Sequence, residues 1–146
     1  MTKLTLISAV GISLSCSALA HEGHEHATGV VRERMELMTD MGQRLLAGLQ
    51  GALGRSPIVG EVRGRGLLVC VDLVDPDGSG KSLDPKTVAE LDRKAWDRGA
   101  IVYARGNVLR LAPPLCITSH EVDELVGVVV DSVNALAHDL SSGRGR

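Results

Sequence analysis

The clearest alternation of apolar and polar residues lies within residues 102–112, where two short apolar runs flank Gly106-Asn107. Glycine followed by asparagine suits the positive φ angles of a two-residue turn, so the pattern predicts a β-hairpin. Because successive side chains of a strand point to opposite faces, Leu109 and Leu111 should share one face and Arg110 should lie on the other.

Three further segments have apolar residues at the three- and four-residue spacing of amphipathic helices. The first predicts a helix over residues 28–53, frayed or kinked near Gly42, because glycine costs roughly 1 kcal/mol relative to alanine in a helix interior. The second begins with an N-cap carboxylate and a proline, Asp84-Pro85, and ends at Gly99. The third begins with a capping box over residues 118–121. In chain order, the apolar stripes are Val31, Met35, Met38, Leu45, Leu49 and Leu53, then Val88, Leu91 and Ala95, then Val122, Leu125, Val129, Val133, Leu136 and Leu140.

A nearly unbroken apolar run over residues 67–74 predicts a buried strand, with Asp72 as its one polar interruption. Arg63-Gly64-Arg65-Gly66 precedes this strand and lacks the Lys-Ser/Thr of a phosphate-binding P-loop. The predicted order is therefore helix, strand, helix, hairpin, helix. It indicates an α/β fold of the α+β type, a two-layer sandwich whose mainly antiparallel sheet has helices on one face.

The composition says more about which partners the chain can bind than about its fold. A length of 146 residues suits one modest domain, and its core must be aliphatic because the chain has one Trp, one Tyr and no Phe. A formal net charge of −2 and the lack of aromatic stacking platforms argue against nucleic-acid binding. Cys16, Cys70 and Cys116 lack metal-type spacing; Cys70 and Cys116 lie in apolar runs that favour small buried side chains over a disulfide.

Arg110 is the candidate binding residue. It lies on a strand that Pro113-Pro114 ends, since proline removes backbone donors, and its planar guanidinium can pair with a carboxylate through two parallel hydrogen bonds. On geometry alone, a solvated or salt-bridged arginine on an exposed sheet face is the more common interpretation.

A resemblance favours the binding interpretation. Residues 106–115, followed by Ile117-Thr118 and the acidic residues 121–124, resemble the C-terminal end of class III pyridoxal-phosphate-dependent aminotransferases. Residues 62–68 resemble the segment that opens the same small domain, and the similarity extends over residues 45–140. It implies the small-domain fold, amino acid and keto acid substrates, and a role for Arg110 in binding the substrate's α-carboxylate.

The same resemblance implies that this chain is a fragment of such a transaminase. In the family, the lysine that forms a Schiff base with pyridoxal phosphate belongs to the large domain, and Lys3, Lys81, Lys86 and Lys94 do not match its context. We therefore predict no catalytic and no cofactor-binding residue, and no cofactor bound by the chain alone. An apolar face left without the large domain would favour self-association.

The N-terminal region has a different character. Residues 1–20 combine Lys3, a short apolar run and Ala18-Leu19-Ala20, which is the layout of a secretory signal peptide. Residues 1–42 resemble the start of periplasmic class II cytochromes c, but the haem attachment motif Cys-x-x-Cys-His is absent, so haem binding is not implied. Two resemblances that meet near residues 42–45 raise the alternative of a fused or misassembled reading frame without independent function.

A histidine-rich segment follows the signal-like residues. His21, His24 and His26 with two glutamates could bind Cu(II), Ni(II) or Zn(II), but a flexible polar lead-in is favoured, because the sequence offers no supporting ligand cluster. We assign no metal ligand. The segment supports a second functional hypothesis, an exported, non-enzymatic metal-binding protein.

The predicted organisation is a signal peptide (1–20), a His-rich lead-in with the start of the first helix (21–44), the aminotransferase-like domain (45–140) and a disordered tail (141–146). The protein should be periplasmic or secreted and free of the membrane after cleavage. It should be cytoplasmic if the N-terminal join is an artefact.

Expression in a Gram-negative host tests the signal peptide. We expect a periplasmic product whose N-terminus, read by intact-mass spectrometry, is His21. Full-length protein retained in the cytoplasm would contradict the assignment.

Overall fold

A single four-stranded antiparallel sheet, with the strand order β1-β2-β4-β3, organises the fold. The computed structural model describes residues 24–143, and the side chains of these residues except 24–30 and 34. The elements in chain order are α1 (His24–Leu53), β1 (Val59–Arg65), β2 (Leu68–Leu73), α2 (Pro85–Trp96), β3 (Tyr103–Arg105), β4 (Val108–Leu111) and α3 (Ser119–Ser141). The predicted α/β class, with a mainly antiparallel sheet and helices on one face, is confirmed.

The structure corrects the number of strands. One strand was expected before α2, but β1 and β2 form a hairpin there, joined by a two-residue turn at Gly66-Leu67 with Gly66 at φ 55°. Arg63-Gly64-Arg65 therefore belongs to a strand and is not a loop leading into one. The alternation that marks a strand is weak in β1, because Val62 is the one buried residue of this edge strand.

An aliphatic core fills the space between the sheet and the helices. α1 contributes Leu45, Leu49 and Leu53, while the inward faces of β2 and β4 contribute Val69, Val71, Leu109 and Leu111. α1 packs against β1 and β2, α2 against β3 and β4, and α3 against both α1 and α2. Trp96 and Tyr103 are both exposed, so the core contains no aromatic ring from the described residues, as the composition predicted.

The N-terminal part of α1 departs from the predicted apolar stripe. Val31 and Met35 are more than half exposed, and the stripe becomes partly buried at Met38. Regular apolar spacing therefore does not produce burial at Val31 and Met35. Within residues 24–143, no helix combines the length and the apolarity that a membrane span requires.

Gly42 is required for close packing and does not interrupt the helix. α1 continues through Gly42, where fraying or a kink was expected. Gly42 is buried against the β1–β2 turn, and a Cβ atom at this position would overlap the carbonyl group of Gly66. The absence of a side chain therefore lets the helix backbone approach the turn, which offsets the cost of glycine in a helix.

The capping box of α3 is present as predicted. The Thr118 hydroxyl accepts from the Glu121 backbone N–H, and the Glu121 carboxylate accepts from the Thr118 N–H at 2.8 Å. The Glu121 carboxylate also accepts from the Thr118 hydroxyl at 2.8 Å, and its hydrogen bonds from the Thr118 backbone N–H and then from this hydroxyl lower the pKa of Glu121. The folded pKa lies below the unfolded one, so this stabilisation is present above the unfolded pKa and is lost as pH falls through the folded pKa.

Alanine substitutions at two glycines of α1 test the packing role of Gly42. Gly51→Ala should stabilise the protein by up to about 1 kcal/mol, since a Cβ there meets nothing within 4 Å. Gly42→Ala should instead destabilise it by about 1–3 kcal/mol through overpacking, measured by urea denaturation. Equal stabilisation by both substitutions would contradict the assigned contact.

Thr118→Ala tests the capping box. It should lower the free energy of unfolding by about 1 kcal/mol, the usual effect of losing an N-cap side chain. Ser119→Ala, at the adjacent exposed position, is the matched control and should change stability little. Identical denaturation midpoints for the two variants would refute the cap.

Candidate functional site

Arg110 lies on the face of the sheet opposite to the helices. In β4 the neighbouring side chains Leu109 and Leu111 are buried in the core, whereas Arg110 is exposed, as the alternation predicted. The predicted hairpin is also present, with a two-residue turn at Gly106-Asn107 and Gly106 at φ 64°. β4 is an inner strand with partners on both sides, so the backbone of Arg110 is held firmly.

Strand register assembles a row of four side chains on this face. Arg110 pairs with Cys70 of β2 on one side and with Tyr103 of β3 on the other, and Cys70 also pairs with Arg63 of β1. Directly opposed residues in antiparallel strands project to the same face. We call this set, Arg63, Cys70, Arg110 and Tyr103, the Arg110 row.

The guanidinium of Arg110 has no carboxylate partner within residues 24–143. Its neighbour is the Tyr103 ring, whose centroid lies 5.8 Å from Arg110 Cζ, within cation–π distance. The salt-bridged alternative raised by the sequence is therefore not observed in the described part of the chain. Among the described residues, no carboxylate accepts from the N–H groups of the Arg110 guanidinium, whose planar geometry suits two parallel hydrogen bonds to an external carboxylate.

Two neighbouring arginines on the same face are paired. Arg63 donates to Asp72 of β2, which accounts for the polar residue inside that apolar run. Arg105 Nη1 donates to Asp92 Oδ2 of α2 at 2.6 Å, and this carboxylate raises the pKa of Arg105. The positive charge of Arg110 is thus less compensated than the charges of Arg63 and Arg105.

The cysteines correct one expectation. Cys70 is partly buried in the Arg110 row, but Cys116, expected to be a small buried side chain, is exposed after Pro113-Pro114. The inward apolar position of this segment is taken by Ile117 instead. Both thiols are free.

The three described lysines differ in exposure and in their partners. Lys81 and Lys86 are exposed, and Lys94 is buried between helices, where Nζ contacts Asp139 Oδ2 at 2.5 Å. The expectation that none of these lysines forms a Schiff base with pyridoxal phosphate stays a prediction. Lys3 lies outside residues 24–143.

The structure describes no metal site. The described side chains, those of residues 31–33 and 35–143, include no group of three or more His, Cys, Asp or Glu suited to a metal ion. The side chains of His21, His24 and His26 lie outside the described part, as does the signal-like segment 1–20.

Sequence reasoning missed Tyr103 and Asp92 as neighbours of the site. The alternation Val102-Tyr103-Ala104-Arg105 carried a signal, because it places Tyr103 and Arg105 together on the face opposite to buried Ala104. The sequence contained no signal for Asp92, because its position under β3 depends on how α2 packs across the sheet. Asp92 also accepts from the Ala104 N–H at 2.8 Å, which fixes β3 to α2.

The family model described as aminotransferase class III matches residues 29–133. The diaminobutyrate–2-oxoglutarate aminotransferase of Rhizobium meliloti is 34% identical over 116 residues, which cover 73% of this chain and 25% of the relative. The 4-aminobutyrate aminotransferase GabT of Escherichia coli is 32% identical over 98 residues, covering 65% and 23%.

A solved Bacillus anthracis aminotransferase superposes with a TM-score of 0.68 at 28% identity, covering 75% of this chain and 26% of that one. The chain therefore spans about a quarter of the length of its relatives.

The family match begins at residue 29, upstream of the junction at 42–45 where the two resemblances meet, and α1 is continuous there. The resemblance to class II cytochromes c stays a prediction. The family match, the relatives and the fold show that the chain belongs to the class III aminotransferase family and corresponds to a fragment of a full-length member.

Proposed function

We propose that this chain forms the C-terminal small domain of a class III transaminase and that Arg110 binds the carboxylate of an amino acid or keto acid substrate. The observation that carries the proposal is the exposed guanidinium of Arg110, held on an inner strand without an internal acceptor among residues 24–143. Such a group is available to an external anion at little cost in rearrangement.

Charge on the open sheet face supports an anionic ligand. Asp72 and Asp92 are engaged with Arg63 and Arg105, so neither approaches Arg110 as a competing acceptor. A carboxylate that approaches this face meets a cation whose fork matches its two oxygens. Lysine would offer a point charge at the same position but not the paired geometry.

Amino-group transfer itself would need parts that residues 24–143 lack. Pyridoxal phosphate supplies the electron sink of this chemistry when it is bound, and it requires a lysine in a suitable setting. The ion pair of Lys94 and the exposure of Lys81 and Lys86 support the proposal that the chain alone does not transaminate.

Carboxylate titration tests the role of Arg110. A bidentate pair worth about 2 kcal/mol corresponds to a dissociation constant of roughly 30 mM. We expect sodium propionate, compared with sodium chloride at equal ionic strength, to shift the Arg110 side-chain Nε–H resonance saturably. Arg65 on β1 is the internal control, since it is exposed on the same face and has no ion pair among residues 24–143. Equal, non-saturating shifts at the two arginines would contradict the proposal.

Borohydride reduction in the presence of pyridoxal phosphate tests the predicted inactivity. We expect scattered, substoichiometric labelling at exposed Lys81 and Lys86, little at Lys94 because its amine is engaged by Asp139, and no amino-acid-dependent turnover. Peptide mapping locates the label. One stoichiometrically labelled lysine with turnover that depends on Arg110 would overturn the fragment interpretation.

A further inference from the structure

The ring of Tyr103 contacts two arginines of the open sheet face. Its centroid lies 5.8 Å from Arg110 Cζ across the β3–β4 register and 4.9 Å from Arg105 Cζ along its own strand. Tyr103 is partly exposed, so burial in the core does not explain why an aromatic residue occupies this position. The chain has one tyrosine, and it is this one.

Arg105 is itself fixed from behind the sheet. Its Nη1 donates to Asp92 Oδ2 at 2.6 Å and to the Ala104 carbonyl at 2.7 Å, while the same carboxylate accepts from the Ala104 N–H. Two uncompensated guanidinium groups at one ring would repel each other. Because Asp92 compensates the charge of Arg105, Arg110 can remain at the ring.

We propose that Tyr103 is a positioning residue for Arg110, holding its guanidinium in the orientation that receives a carboxylate. A free arginine side chain samples many rotamers and must be ordered before it can bind with both donors. The attraction of the ring for a cation offsets part of that ordering before the ligand arrives. The inference rests on the proposed carboxylate role of Arg110 and adds the group that orders it.

The first measurement needs no ligand. The order parameter of the Arg110 side-chain Nε–H bond is measured by ¹⁵N relaxation in the wild type, in Tyr103→Phe and in Tyr103→Leu. Phenylalanine keeps the ring, whereas leucine removes it at an exposed position where the fold tolerates change. We expect Arg110 to be more ordered than Arg65 in the wild type and in Tyr103→Phe, and to fall to the level of Arg65 in Tyr103→Leu. An unchanged order of Arg110 in Tyr103→Leu would overturn the inference.

The second measurement is the propionate titration of the same three proteins. Tyr103→Leu should weaken propionate binding by about two- to fivefold, the range expected from an exposed cation–π contact, and Tyr103→Phe should bind as the wild type does. Equal affinity in all three proteins would overturn the positioning role while leaving Arg110 as the carboxylate site. If propionate causes no saturable shift at Arg110 in the wild type, the proposed function is refuted. The relaxation measurements would still decide separately whether Tyr103 orders Arg110.

Discussion

The alternation of side chains along β4 is the constraint on which the site depends. Leu109 and Leu111 are buried in the aliphatic core, so the residue between them must face the open side of the sheet. A register slip of one residue would bury a guanidinium and expose two leucines, and both changes are strongly unfavourable. The position of Arg110 is therefore fixed by the hydrophobic core beneath it.

Much of this arrangement could be predicted because it depends on local chemistry. The Gly106-Asn107 turn, the Asp84-Pro85 helix start and the capping box at Thr118 each depend on residues within a few positions of one another. β1 was missed because an edge strand that buries one residue, Val62, shows almost no alternation of apolar and polar residues.

Other features depended on contacts between segments that are distant in the sequence. The role of Gly42 follows from the approach of the Gly66 turn, which the helical pattern cannot reveal. Regular spacing likewise predicted burial of Val31 and Met35, which depends on whether another element covers them. The pairing of Arg105 with Asp92 requires α2 to cross β3, so the sequence alone left the neighbours of Arg110 undefined.

The chain spans about a quarter of the length of its relatives, and this quarter includes the strand that carries Arg110. The most direct measurement is a chimera in which residues 45–140 replace the matching segment of E. coli 4-aminobutyrate aminotransferase. We expect the chimera to transaminate, and Arg110→Ala to lower its kcat/KM by roughly 100-fold, as expected for loss of hydrogen bonds to a charged group, with cofactor loading unchanged. A folded, cofactor-loaded chimera with the same kcat/KM after Arg110→Ala would contradict this expectation.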